Sequence, residues 1–169
     1  VKKKGKTLAE LLIDVRITRK RIRNIIDRVR NRIDVYNEAT IRNLSSFPHL
    51  SKMLARESEF LENVINNLYT LEVLLEMLEI KMETLIYIGY IVNSAPAVIE
   101  AIKMLKDNFS MIPEITLMLD EIYEGFYFNI EIPKEIKISS REEAKNILIE
   151  AENIAKKREK SEIYYQLNT

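Results

Sequence analysis

The side chains able to do chemistry are unevenly supplied along this chain. It holds one histidine, His49, and no cysteine, which excludes disulfides, thiolate nucleophiles and cysteine-ligated zinc. His49 follows a proline in a loop-like stretch, with no second histidine or cysteine to share a metal and no nucleophile to serve as base. A plain loop or capping role is expected for it. Glu72, Glu76, Glu79 and Glu83 fall at helical spacing, as the carboxylates of a di-iron bundle would. Such a centre also needs Glu-x-x-His pairs, and the sequence has none, so the row is expected to be a solvated acidic face. The three glycines form no phosphate-cradling pattern. The expectation is a non-enzymatic protein with no catalytic residues, no metal site and no cofactor.

The cations carry the stronger signal. Within residues 1–43 there are thirteen basic side chains against five acidic ones, so this part is at +8 and the rest of the chain, in compensation, at −8. Lys2, Lys3, Lys4 and Lys6 open the chain as a cluster. Arg16, Arg23 and Arg30 recur every seven residues, and Lys20, Arg21 and Arg28 are placed on the outer surface of the same helix. Some of these pair with local acids such as Asp27 and Asp34, but five acids cannot neutralise thirteen bases. An anionic lipid surface would attract each exposed Lys or Arg by about 1 kcal/mol. An acidic protein surface could use the same charges. Nucleic acid could too, but the chain has no groove-reading motif and no interleaved aromatic platform, so none is expected.

These charges need long helices to hold them. With Gly at 3 and Pro at 4 in 169 residues, turn chemistry is scarce, and the length suits one domain. A first helix is predicted from about Thr7 to Asn43. Leu8, Val15, Ile22, Val29 and Tyr36 form one seven-residue series, and Leu12, Ile26 and Ile33 fill the companion positions. A loop at residues 43–49 follows. The second helix shows two series, Leu54, Leu61, Leu68, Leu75 and Met82 beside Glu57, Val64, Leu71, Leu78 and Leu85. Neither seam can bury itself, so the pair is predicted to be a long antiparallel hairpin, over about 7–92, with Leu61, Leu68, Leu71, Leu75 and Leu78 in its seam. Arg19 and Glu57 intrude on the seam, and a turn near residue 46 would set Arg19 near Glu72 or Glu76 and Glu57 near Arg32.

The periodicity breaks at Gly89 and at Asn93 to Pro96. Two short helices are predicted over about 96–125. One carries Ile99, Ile102, Leu105 and Phe109. The other carries Ile115, Leu119 and Ile122 and closes near Gly125. Residues 126–139 alternate around Pro133 and read as an extended linker with room for one strand. A last helix over 140–169 is predicted to start at a Ser140/Glu143 capping box, with Ala144, Ile147, Leu148, Ala151, Ile154 and Ala155 on its apolar face. No stretch approaches the roughly 20 apolar residues that span a bilayer. The fold class is all-α.

A basic first helix, a longer second helix, two short helices and a separate last helix resemble the layout of ESCRT-III subunits, the archaeal CdvB-type cell-division members in particular. Local likeness is densest at Leu54 to Glu59, at Pro113-Glu114-Ile115 and from Ser140 to Glu152. The resemblance implies a polymer subunit that remodels membranes, working with copies of itself, related paralogues and an anionic membrane surface. It implies a cytoplasmic protein, peripheral on the inner face of the cell membrane at the division site. Residues 140–169 would be a regulatory helix able to fold back through Ile147, Leu148, Ala151 and Ile154, and Gly89, Asn93 and Pro96 a hinge. Membrane binding would fall to Lys2, Lys3, Lys4, Lys6, Arg16, Lys20, Arg21, Arg23, Arg28 and Arg30. An AAA+ ATPase (CdvC-like) is expected to act indirectly, because the sequence to Thr169 shows no Pro-rich or Leu-rich recognition segment and no winged helix. A soluble scaffold that binds partner coiled coils is the competing expectation.

Overall fold

In the computed structural model, which describes residues 5–88, 94–129 and 134–168, α1 spans Leu8–Asn43 and α2 spans Pro48–Ile88. Thr7 starts α1 because its hydroxyl accepts from Glu10 N at 3.2 Å, satisfying a donor of the first turn. Pro48 can open α2 because a first-turn residue has no intrahelical partner for an N–H. The short turn makes the helices antiparallel, and polar ties pin its register. Ser51 Oγ donates to Thr40 O at 2.7 Å, and Ser58 Oγ to Asn37 Oδ1 at 2.6 Å.

The seam follows the heptads. Val15, Ile22 and Ile26 on α1 are buried with Leu68, Leu71, Leu75 and Leu78 on α2. Nearer the turn, Val29, Leu61 and Val64 are half-buried. There the seam borders an open groove that Asn108, Met111 and Ile112 also line. Farther along, α2 is buried well beyond its heptad positions, at Tyr69, Thr70, Val73 and Leu74, because α3 (Ser94–Lys106) and α5 (Lys134–Leu167) pack on it.

In α3, Ala95 to Ile99, Ala101, Ile102 and Leu105 are buried, and Pro96 sits in its first turn, where the missing N–H costs nothing. A 3-10 turn at Asp107–Phe109 buries Phe109 and leads into α4 (Pro113–Asn129). This last helix does not close near Gly125. A Cβ there would sit 2.9 Å from Leu11 Cδ1, so Gly125 is a point of close approach between α4 and α1 inside a continuing helix.

Two further readings are corrected. Phe126 to Asn129 belong to α4 and Lys134 already opens α5, so the described residues between 126 and 139 are helical rather than extended. Ser140 is buried inside α5 instead of capping it, and Ala144 is buried one turn on. Packing on α3 overrides the local alternation, as tertiary contacts routinely override propensity. Gly89 and Asn93 lie outside the described residues.

Candidate assembly and membrane surface

The charged groups of α1 divide into two sets according to the side they face. Arg16 Nε lies 3.0 Å from Glu79 Oε1, and its NH2 lies 2.7 Å from Glu83 Oε1. Arg19 reaches Glu79 at 2.9 Å and Glu76 at 3.7 Å. Arg23 reaches Glu72 at 3.6 Å. As α1 advances from 16 to 19 to 23, its partners on α2 retreat from 79 to 76 to 72, the register of an antiparallel pair. Arg19 thus meets Glu76, one of its two expected partners, and Glu79 beyond it. Glu57 and Arg32 are both exposed and form no ion pair with each other, and Arg32 lies over the Tyr36 ring at 5.8 Å.

The carboxylate row on α2 is therefore not a solvated face. Glu72 and Glu79 have side chains 13% and 17% exposed, tucked against the α1 arginines. Burial raises the Glu72 pKa above its ordinary value, against the pull of Arg23. Glu76 goes the other way: Arg158 of α5 donates to it at 2.5 Å and lowers its pKa.

Three helices meet at Glu162 near the end of α5. Its carboxylate accepts from Arg23 NH1 at 2.9 Å, from Arg30 NH2 at 3.0 Å and from the Tyr69 hydroxyl at 2.6 Å. Both guanidinium groups also lie over the Tyr69 ring, at 5.9 and 5.4 Å. The bond to Glu162 is the main reason the Arg23 pKa is raised. Below this node α5 packs through a stripe of small residues. Ala144, Ala151 and Ala155 are fully buried, while Ile147, Leu148 and Ile154 are half-buried against the core.

Of the residues expected to meet an anionic surface, Arg16, Arg23 and Arg30 are thus engaged within the fold. Lys20, Arg21 and Arg28 remain exposed. Arg28 and Arg21 lie opposite Arg16 and Arg23, Arg21 donating to Met118 Sδ of α4 at 3.9 Å, while Lys20 borders the cleft of Arg16, Arg19 and Arg23 that faces Glu72 and Glu79. Arg21 and Arg28 share their side with the exposed apolar residues Ile13, Ile17 and Val35, at helical spacings of four and seven. Lys6 is held by Asp14 at 2.6 Å, and Lys2, Lys3 and Lys4 lie outside the described residues.

Glu162, Arg158 and Tyr69 did not stand out in the sequence. The available signal was Tyr69 itself, an aromatic hydroxyl off the heptad positions yet amid an apolar run. Buried, such a group must find a partner. An open groove of about 670 Å³ runs beside the mid-hairpin, lined by Val29, Phe60, Leu61, Val64 and Met111 among others. Among the described residues no group of three His, Asp or Glu side chains is placed to hold a metal ion, and no helix is long and apolar enough to cross a membrane.

In sequence the chain is 35% identical over 158 residues to Cell division protein B3 of Sulfolobus acidocaldarius, across 91% of this chain and 94% of that protein. No protein-family model matches the chain, and no solved structure matches it.

Proposed function

The chain belongs to the archaeal CdvB-type ESCRT-III family of cell-division proteins, and from that premise we propose that it is a membrane-remodelling polymer subunit. The observation that carries this reading is the division of charge on α1. Arg16, Arg23 and Arg30 are tied to α2 and α5, while Arg21 and Arg28 are exposed on the side of Ile13, Ile17 and Val35, with Lys20 exposed at its edge. An exposed face of mixed basic and apolar residues is the pattern of a helix lying in a lipid interface.

In this reading the protein is non-enzymatic and acts from the cytoplasmic side, peripheral on the inner face of the cell membrane at the division site. It assembles with copies of itself and with paralogues, and an AAA+ ATPase acts on the assembly indirectly. The regulatory helix, expected over 140–169, belongs to α5, which is docked over α2 and α3. Freed from that dock, the helix and the surface it covers become available to neighbouring subunits. The segment from 89 to Pro96 serves as the hinge.

Co-sedimentation with vesicles containing phosphatidylglycerol, at low and high salt, tests the reading together with electron microscopy of the pellet. Binding that weakens steeply with salt and yields filaments is the expected result. A discrete oligomer indifferent to lipid would overturn it in favour of a soluble scaffold for partner coiled coils.

A further inference from the structure

The turn of the hairpin presents a second, unassigned surface. Ile41, Leu44, Phe47, Leu50 and Met53 cluster there with exposures of 76, 66, 61, 43 and 61%. Isolated exposed apolar residues are ordinary; five within thirteen positions at one end of a rod form a patch. From Ala39 to Arg56 the sequence contains no Asp or Glu, the longest acid-free run in the chain, while it carries Arg42, Lys52 and Arg56. All three of these bases are exposed.

Part of the backbone at this end is paired within the turn. Phe47 N donates to Asn43 O at 2.9 Å and Ser51 N to Phe47 O at 3.0 Å. The Ser51 hydroxyl closes on Thr40 O, and the Asn43 side chain on Ala39 O at 2.7 Å.

We infer that the hairpin tip is a membrane-inserting wedge, in which Phe47, Leu44 and Met53 enter the interface of an anionic bilayer while Arg42, Lys52 and Arg56 hold its headgroups. The inference rests on the bilayer reading above and adds a second contact at the end of the rod. Charge decides between lipid and a second copy as the occupant. The carboxylate row best formed to receive a basic tip, Glu72 to Glu83, is already engaged by Arg16, Arg19, Arg23 and Arg158. A bilayer supplies both the anionic headgroups and the apolar layer beneath them.

The chain has no tryptophan, so Phe47→Trp in the full-length protein gives a single reporter at an exposed site. On vesicles of phosphatidylglycerol and phosphatidylcholine its emission shifts to the blue and is quenched by lipids brominated high on the acyl chain. Leu44→Ser with Met53→Ser, checked for unchanged helicity by circular dichroism, lowers vesicle affinity about tenfold. Protein that co-sediments while the reporter stays unshifted and unquenched overturns the wedge and leaves the α1 surface standing. A blue shift without vesicles that grows with protein concentration overturns it in favour of a second copy. Failure to co-sediment at all overturns both readings.

Discussion

The phenol of Tyr69 donates to Glu162 at 2.6 Å, joining the middle of α2 to the far part of α5. Tyr69 is 1% exposed, so its hydroxyl would be a buried orphan without that carboxylate. The same carboxylate neutralises Arg30, whose side chain is 15% exposed. One acidic residue thus satisfies a buried hydroxyl and two arginines that α2 leaves incompletely paired.

Replacing Glu162 by Ala should release the end of α5. Hydrogen bonds to charged groups contribute about 1.5–3 kcal/mol each when their loss strands a partner, and Arg30 and Tyr69 are both stranded here. Amide hydrogen exchange over 134–168 is expected to accelerate while the α1–α2 seam keeps its protection. Tyr69→Phe, which removes one bond and strands no buried charge, should produce a smaller effect of about 1 kcal/mol.

Acidification should act in two opposed stages. Burial raises the folded-state pKa of Glu72 and of Glu159 above the ordinary 4.5, so the native state takes up protons first and gains stability as pH falls through those values. Glu76 is lowered by Arg158, so its contribution is complete above 4.5 and is lost as pH falls through its depressed value. Thermal melts from neutral to acidic pH are therefore expected to show Tm rising, then falling. Glu72→Gln should flatten the rise, and Arg158→Met should soften the fall.

Charge reversal on α1 should separate its two sides. Arg28→Glu is predicted to lower affinity for anionic vesicles by about thirtyfold with melting unchanged, since reversal removes roughly 1 kcal/mol of attraction and adds a repulsion of similar size. Arg16→Glu faces Glu79 and Glu83 instead, and should lower Tm before it affects lipid binding.

Packing density predicts two further outcomes. Ala151→Leu overfills a site with no exposed surface and should weaken α5 docking by about 1–3 kcal/mol, read by exchange or limited proteolysis. Gly125→Ala should be nearly neutral in Tm, since about 1 kcal/mol of helix propensity offsets the displacement of a flexible leucine tip. Gly125→Leu has no such compensation and should destabilise the α4–α1 contact clearly.

The hairpin was legible because one seam governs it: the heptads of α1 and α2 specify partner and register together, and Arg19 meets Glu76 as their spacing requires. The ESCRT-III likeness was legible from the order of the elements, and the relative in Sulfolobus supports it. The charge node was not. Glu162 lies 139 positions from Arg23 and 93 from Tyr69, and nothing local in the sequence relates them. The acidic row on α2 misread as solvated for a related reason: its spacing marks one face but does not say that α1 and α5 would cover it. Gly125 and Ser140 failed as punctuation because each is a packing residue, one admitting Leu11 and the other buried within α5.

The place of Glu162 along α5 has a mechanical consequence. It lies within the last two turns of a 34-residue helix, far beyond the alanine stripe. A pull that lifts the end of this helix away from α2 loads the contacts of its last two turns, the Glu162 carboxylate among them, and reaches the alanines only after those have parted. A pull along the helix axis loads the carboxylate, Arg158 and the alanines at once. The docked helix is therefore weak against peeling and strong against sliding. A partner that grips its end can strip it with far less force than tension along the rod would need.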